Sequence, residues 1–480
     1  MIFKKEDLIK IHDYLWEIPQ SFRKDMLVPA RIYASNEILK SIEEKAITQL
    51  VNCATLKGIK KFAIAMPDIH SGYGPPIGGV GAIDSEDGLI SPCFVGFDEN
   101  CGVRLLKSQL TYEDVKPYLE KLANEIQKEV PSGLGRGRET KLSNKEIDEI
   151  LEKGVEALFE KGFAEKEDIE NCESRGRIKE ADASLISQLA KKRGRDEVGT
   201  LGSGNHFCEI QRVEQVFDEE TAKSFGLFKN QIVVMIHTGS RALGHQNCQD
   251  YWELANKVMP KYNIKVPDKE LASFPFNSKE GQSFLKAMNA ACNYAWANRQ
   301  MISFYVRKAW QKVLEKEGRL ALLYDVAHNI AKIEEHTIDG KKMKLIVHRK
   351  GATRAFPANH PELPEDYKKI GQPVLIPGSM GAPSYVLVGS EKSSQSWYSV
   401  CHGAGRKMSR NEAAKKIKGE EVVKDLAKKN ILVKCHSIRG VAEEAPFAYK
   451  NIDSVIEVIT GADLARKVAK LIPLAVIKGE

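Results

Sequence analysis

Four short segments gather the residue types that hold transition metals. Phe94-Val-Gly-Phe-Asp98-Glu-Asn-Cys101-Gly-Val-Arg104 reads as a strand running into a loop that bears a carboxylate and a thiol three residues apart. That spacing lets both reach one ion, with Asn100 and Gly102 permitting the tight turn. Gly199-Thr-Leu-Gly-Ser-Gly-Asn205-His206-Phe-Cys-Glu209 sets three glycines ahead of an Asn-His pair, which brings backbone close to a ligand. Val233-Val-Met-Ile-His237-Thr-Gly-Ser-Arg241 and Leu322-Leu-Tyr-Asp-Val-Ala-His328-Asn329 each carry a strand-like run into a histidine. A strand end aims its last side chains into the crevice beyond the sheet edge, the usual ligand position in α/β proteins. Imidazole, thiolate and carboxylate together suit Zn²⁺, Mn²⁺ or Fe²⁺, not Mg²⁺ or Ca²⁺ with their oxygen ligands. Asp98, Cys101, His206, His237 and His328 are too many ligands for one catalytic ion that keeps an open position. They suit two ions sharing a thiolate, and paired ions recur in phosphoryl chemistry.

Of the eleven histidines, His70 and His402 also sit at strand ends or in tight loops. Trp397-Tyr-Ser-Val-Cys-His402-Gly-Ala-Gly-Arg406 flanks its histidine with small residues that allow a phosphate to approach the ring, and Arg406 can pair with the phosphate oxygens. A neutral imidazole is a competent nucleophile toward phosphorus. A further metal ligand, or a plain turn histidine, is the other reading of the same residues.

The elements that must position these groups are those of an α/β chain with mixed α+β layers. Helical spacing runs through Ile38, Ile42, Ile47, Leu50 and Val51 behind a capping Ser35, and through Ile147, Ile150, Leu151, Val155 and Leu158. Phe284 to Leu314 predicts a long helix apolar on several sides, and Glu412–Lys429 and Ile452–Leu471 predict two more. Strand-like runs are Gly88–Val95, Gln231–Ile236, Leu320–Val326, Lys344–Val347, Val374–Ile376 and Ser384–Val388, with loops expected at Glu165–Arg177 and Ala355–Pro373. The chain, 480 residues and 53.6 kDa, shows no clean linker and no repeat. The expectation is one large domain over residues 1–480, with a helical insertion at 140–200.

Hydrophobic residues at 42% and charged residues at 29% exclude a disordered or fibrous chain. No apolar run approaches the roughly 20 residues of a membrane span, and Met1-Ile-Phe-Lys-Lys-Glu-Asp, with no apolar run, is not expected to act as a secretory leader. Nine cysteines, odd in number and without a CxxC pair, are no disulfide framework, so a reducing cytoplasm is expected. A net charge of +7 permits a polyanionic partner without demanding one.

Taken together, Pro67-Asp-Ile-His-Ser-Gly-Tyr-Gly-Pro-Pro-Ile-Gly-Gly79, Gly96-Phe-Asp-Glu-Asn-Cys-Gly-Val-Arg104, Gly199-Thr-Leu-Gly-Ser-Gly-Asn-His206, His237-Thr-Gly-Ser-Arg241, His348-Arg-Lys-Gly-Ala-Thr-Arg354, Pro377-Gly-Ser-Met-Gly381 and His402-Gly-Ala-Gly-Arg406 resemble the RtcB family of RNA-splicing ligases, from about residue 60 to Lys478-Gly479. The resemblance implies an RNA ligase that depends on GTP and two Mn²⁺ ions, serves tRNA splicing or RNA repair, and joins 2′,3′-cyclic-phosphate or 3′-phosphate ends to 5′-hydroxyl ends. It implies a His–GMP enzyme intermediate and an RNA 3′ end activated by GMP. Position by position, His402 matches the guanylylated nucleophile, and Asp98, Cys101, His206, His237 and His328 match the ligands of the two ions, with Cys101 bridging. Guanylate contacts fall on Asn205, Glu209, Asn329, Pro377, Gly378, Ser379, Met380, Ser384, His402, Gly403, Ala404, Gly405, Tyr449 and Lys478. Asp68 stands behind these groups, Arg241 and Arg410 are set to hold RNA phosphates, and Lys191-Lys-Arg-Gly-Arg195 extends a basic track. Glu209 suits either the guanine N1–H and amino donors or the second nitrogen of the histidine. The implied partners are tRNA halves or broken RNA and an activating archease, with a monomer as the expected state.

Two positions depart from the family pattern. Glu99 stands where an aliphatic residue is more frequent, adding charge near the metals and an extra potential ligand. Ala382 replaces a frequent Thr beside the nucleotide loop. The competing readings are a binuclear metal-dependent phosphodiesterase that uses the same ligands without guanylylation, and a non-catalytic RNA-binding protein.

Overall fold

A computed structural model describes residues 7–133, 137–139, 141–315 and 318–479. Two large sheets form the frame. In the first, strands Ile9–His12, Leu15–Ile18, Ala30–Tyr33, Ile59–His70, Ile77–Asp84, Lys341–Lys350 and Asn329–Ile338 lie side by side in that order. In the second the order is Ala321–Ala327, Gly102–Thr111, Gln231–Thr238, Phe207–Val216, Ala465–Lys478, Ser384–Gly389 and Pro373–Ile376, with Leu432–Cys435 added in parallel to Ala465–Lys478. Nearly all other pairings are antiparallel, Ala30–Tyr33 with Ile59–His70 being parallel. Helices cover the sheets, giving the mixed α/β layering expected from the alternation of the two periodicities.

The 36-residue helix Lys279–Leu314 is the main internal beam. Ser278 caps it by accepting from the Gly281 amide, and residues from Ala287 to Ser303 are buried on every face. The sequence predicted this helix because Ala and aromatics leave no polar stripe. Ser35 caps its helix as expected, but the run divides into Asn36–Ser41 and Glu44–Cys53. The 147–158 run likewise breaks at Gly154, whose φ of +57° ends one helix and starts the next. These helices and those at Lys166–Glu170 and Gln188–Gly194 lie in the stretch expected to be helical, and Lys166–Glu170 falls where a loop was expected.

Three expectations need correction. Gly88–Val95 is not a strand beyond Leu89–Ile90, because Pro92 starts a 3-10 turn over Pro92–Phe94. Asp98 and Cys101 therefore precede a strand, Gly102–Thr111, and do not follow one. Glu412–Lys429 is two helices, Arg410–Lys416 and Gly419–Ala427. Ile452–Leu471 is helical only to Gly461; from Ala465 the chain is a strand lying between Phe207–Val216 and Ser384–Gly389. There tertiary pairing overrides the local pattern. Among the described residues, no helix is long and apolar enough to cross a membrane.

Candidate active site

One edge of the second sheet collects the groups singled out from the sequence, and the register explains why. Gly102 pairs with Thr238 and with Ala327, and His237 pairs with Phe207. In antiparallel strands the start of one lies beside the end of the next. Cys101 and His206, just before their strands, thus meet His237 and His328, at or just after the ends of theirs. Lys478 pairs with Phe207 and arrives at the same edge. Main-chain bonds from His328 N to Cys101 O at 2.9 Å and from Ala352 N to His328 O at 3.0 Å continue the corner toward Ala352–Arg354. That strand pairs Ala352 with Cys401, which carries His402 in beside His328.

Two groups of ligand atoms result, Asp98–Cys101–His206 and Cys101–His237–His328, and Cys101 belongs to both. Cys101 Sγ lies 3.3 Å from His206 Nε2 and 3.4 Å from His237 Nε2. His237 Nε2 is 3.3 Å from His328 Nε2, and His206 Nε2 is 2.9 Å from Asp98 Oδ2. His206 Nδ1 faces the Leu201 carbonyl at 3.0 Å, which leaves Nε2 to point inward. Burial, with neighbouring imidazoles adding to it, holds His237 and His328 well below the usual imidazole range, so both present neutral lone pairs. Burial and the Asp98 carboxylate push the Cys101 thiol well up; a thiolate here needs a cation beside it. Convergent nitrogen, sulfur and oxygen donors in a buried corner fit a pair of divalent transition-metal ions.

The long helix clamps this corner. Arg299 is fully buried; its guanidinium donates to the Asn100 and Thr238 carbonyls, each at 2.8 Å, to Asn100 Oδ1 at 2.9 Å and to the Asp325 carboxylate at 2.8 Å. Those partners neighbour Cys101, His237 and the strand leading to His328. Asn298 Oδ1 accepts from the Gly199 and Thr200 amides, and its Nδ2 donates to the Gly239 carbonyl at 3.0 Å. Asn100, in the left-handed region at φ +53°, donates to the Cys292 carbonyl at 2.7 Å. Glu99 turns the other way. It is buried with its carboxylate on Asn247 Nδ2 at 2.9 and 3.1 Å, belongs to neither ligand group, and is pushed up to about 8 chiefly by burial.

His402 stands against Asp68, with Nδ1 2.6 Å from Asp68 Oδ2, and the same oxygen accepts the His402 amide at 2.9 Å. Burial pushes the Asp68 carboxyl up, but His402 and Lys450 outweigh it and hold the group below the usual carboxylate range. The Nδ1 contact is one of ion-pair distance, and Nε2 is the ring nitrogen on the side away from the carboxylate. The His402 and His328 ring centres are 5.0 Å apart. Gly405 is obligatory, because at φ +69° a Cβ would sit 2.2 Å from the Asp68 carbonyl.

Both metal groups and His402 line one cavity of about 390 Å³. Asn205, Asn329, Pro377, Gly378, Ser379, Met380, Gly403, Ala404, Gly405, Arg410, Tyr449 and Lys478 line it too. Asn329 donates to the Asp98 carbonyl at 3.0 Å and accepts from Gly351 N, tying the metal corner to the next loop. Glu209 and Ser384 lie behind the wall, linked through Gln211 Nε2, at 2.7 Å to Glu209 Oε2 and 3.0 Å to Ser384 Oγ, and Ser384 also accepts from Gly378 N. Burial pushes Glu209 up to about 8, and among the described residues its Oε1 has no hydrogen-bond partner. Lys478 is buried, and its Nζ reaches the His206 carbonyl at 3.4 Å. Arg241 does not line the cavity. It is buried on Glu197 at 3.2 Å and packs over Gly202, where a Cβ would collide with its guanidinium. Arg410, about half exposed, packs over Gly204 in the same way. Of the basic run, Lys191 is buried on Asp148 at 2.6 Å, while Lys192 and Arg193 are exposed.

Sequence reasoning missed several groups of this site. Glu444 is buried at the cavity wall, where it accepts from Arg406, Arg410 and Tyr449. Lys350 donates to the Tyr73 and Pro75 carbonyls, and Lys450 to the Pro67 carbonyl. An isolated Glu or Lys has no spacing signal, and these act through contacts distant in sequence. The Lys of His348-Arg-Lys-Gly-Ala-Thr-Arg354 was at least inside a quoted motif.

The profile of the family described as tRNA-splicing ligase RtcB matches residues 49–479. The chain is 50% identical over 476 residues to the tRNA-splicing ligase RtcB of Archaeoglobus fulgidus, covering 98% of this chain and 99% of that one. It is 51% identical to the protein of the same name from Nanoarchaeum equitans, again over 98% and 99% of the two chains. It is 49% identical to the RNA-splicing ligase RtcB homolog 1 of Entamoeba histolytica, over 90% of this chain and 83% of that one. A match of this depth across a chain whose cavity gathers the family's motif residues leaves one conclusion: the chain belongs to the RtcB family of tRNA-splicing ligases.

Proposed function

We propose that this protein is a GTP- and Mn²⁺-dependent RNA ligase that joins a 2′,3′-cyclic-phosphate or 3′-phosphate RNA end to a 5′-hydroxyl end, in tRNA splicing or RNA repair. The observation that carries the reading is His402 facing two donor triads that share Cys101, all in one cavity. Names borne by relatives supply the substrate class.

Asp68 orients the His402 ring and leaves Nε2 to attack the α-phosphorus of GTP; an N–P bond forms and pyrophosphate departs. The 3′-phosphate of the RNA then takes GMP from His402, and the 5′-hydroxyl displaces GMP to close the strand. A cyclic end is first opened by water to the 3′-phosphate. Asp98, Cys101, His206, His237 and His328 would hold two Mn²⁺ ions, which would supply charge neutralisation on phosphate oxygens. Gly403 and Gly405 keep the His402 loop free of side chains, and Pro377–Met380, Asn205, Asn329, Tyr449 and Lys478 line the space for the nucleotide. Glu209 Oε1, buried behind the wall with no hydrogen-bond partner among the described residues, suits a donor-rich base edge. Arg410 serves the RNA phosphates; Arg241 supports the glycine loop from behind. The chain is read as one domain with 140–200 inserted in it.

The test is incubation with GTP, Mn²⁺ and two RNA fragments bearing 3′-phosphate and 5′-hydroxyl ends. Sealed product with a covalent GMP adduct, absent in His402→Ala, supports the reading. Cleavage without adduct identifies the binuclear phosphodiesterase instead.

A further inference from the structure

Tyr73 is an aromatic side chain left 37% exposed at the cavity rim, on a loop fastened at four consecutive residues. Gln49 bonds Gly72 in both directions, its Nε2 donating to Gly72 O at 2.7 Å and its Oε1 accepting from Gly72 N at 3.0 Å. Lys350 Nζ donates to the Tyr73 and Pro75 carbonyls, and Glu270 Oε2 accepts from Gly74 N at 2.6 Å. Gly74 has φ +72°, and a Cβ there would lie 2.5 Å from the Glu270 carbonyl oxygen. Loop backbone is ordinarily left to water. Fastening each residue beneath a ring that stays exposed fixes where that ring stands.

Tyr73 is also the middle of a row. Its ring centre is 5.1 Å from that of Phe97 and 5.6 Å from that of Trp252, both edge-on, and Phe97 lies 4.9 Å from exposed His245. Trp252 is locked by its indole N–H to the Lys269 carbonyl at 3.0 Å. Phe97 is the residue before Asp98, so the row Trp252–Tyr73–Phe97–His245 passes beside the candidate metal corner and leads outward from it. At its far end Arg193, exposed, donates to Gln246 next to His245 at 2.7 Å. Aromatic faces followed by a cation are the chemistry that holds single-stranded nucleic acid, the bases stacking and the backbone meeting the charge.

We propose that Tyr73, Phe97 and His245 form a stacking platform for the unpaired terminal nucleobases of an RNA end entering the cavity. This rests on the RNA-ligase reading for its ligand and adds a base-binding subsite to it. The platform orients the terminal nucleotide so that its phosphate or hydroxyl faces the Asp98 side of the metal corner. Recognition is through the π-face, so it tolerates any base.

The test uses two RNA fragments, one with a 5′-hydroxyl and one with a 3′-phosphate, each carrying 5-iodouridine at the terminal nucleotide or four nucleotides inward. Irradiation couples the iodinated base to a stacked aromatic, and mass spectrometry of the peptides locates the adduct. The expected adduct is on Tyr73, Phe97 or His245, stronger from the terminal position, and the fragment that gives it identifies which end the platform receives. Tyr73→Leu and Phe97→Leu weaken RNA binding about tenfold or more without changing its salt dependence, whereas Tyr73→Phe restores it. Adducts confined to other peptides from both fragments, or binding within twofold in both leucine variants with unchanged thermal unfolding, overturn the proposal. The wild-type GMP adduct, made without RNA, reports on the ligase reading separately, so the two can fail independently.

Discussion

The metal corner and the opposite wall of the cavity are built in contrasting ways. Around Cys101 the candidate ligand segments are sheet edges tied by buried Arg299 and Asn298 of the long helix, whose polar atoms meet the backbone beside the ligands, and by Asn100 of the ligand loop, which bonds the helix in return. Across the cavity, Arg406, Arg410, Glu444 and Tyr449 hold one another on short helices and loops, and Arg410 is about half exposed. Groups that must meet a metal within a few tenths of an ångström sit on over-determined backbone, since small displacements there forfeit ligation. Groups that on the proposed reading receive and release a nucleotide and RNA ends sit where side chains can re-pair.

The contrast is open to experiment. The largest effect is expected from Cys101→Ala, which removes the atom common to both triads; two-ion Mn²⁺ binding, read by the loss of the free-ion EPR signal on titration, falls to one weak site or none, and adduct formation is lost. Arg299→Lys keeps the charge but not the fork, and is expected to lower Mn²⁺ affinity about 10- to 100-fold and to lower the unfolding temperature, since the Asp325 carboxylate loses paired donors in a buried site. If Mn²⁺ affinity is unchanged, the helix is a scaffold only. Asp68→Asn retains an acceptor but removes the charge behind His402; adduct formation slows by about 10²-fold or more while Mn²⁺ affinity stays within a fewfold, separating the His402 loop from the metal corner.

On the other wall, Arg410→Ala is expected to weaken RNA binding several-fold and to reduce the salt slope by about 1, with guanylylation little altered. The smallest effect concerns Glu209. Its folded-state pKa, raised to about 8, means that the folded protein keeps a proton the unfolded chain has already lost as pH rises from the ordinary carboxyl range. That group therefore favours unfolding progressively through this window. In metal-free protein Glu209→Gln is expected to be more stable than wild type at pH 8, with the difference shrinking toward pH 5 in thermal melts.

How much of this was legible beforehand follows from the physics of each feature. The five candidate ligand residues and His402 announced themselves because rare residue types recur beside glycines at strand ends, and the long helix because its apolar residues lie on several sides of the axis. Arg299 and Glu444 did not, since a lone charged residue in a helix or just past its end looks the same whether it faces water or clamps a loop. Arg241 was set on RNA by its motif, but folding buries it under the glycine loop against Glu197. Ala465–Leu471 continued a helical pattern and became strand because the sheet needed a partner between two edges.

By itself the sequence determined the chemistry available: which donors exist, that they are too many for one ion, and which histidine is flanked for phosphate. It also determined the local devices that need no distant partner, the Ser278 and Ser35 caps, the Gly154 break and the left-handed glycines. Only the tertiary structure decided which donors converge, because antiparallel register brings the start of Gly102–Thr111 and Phe207–Val216 to the ends of Gln231–Thr238 and Ala321–Ala327. It alone decided that Asp68 takes one nitrogen of His402 and leaves the other free. Hydrogen bonds and ligation depend on distances of about 3 Å between residues hundreds of positions apart, and no local pattern encodes such a distance.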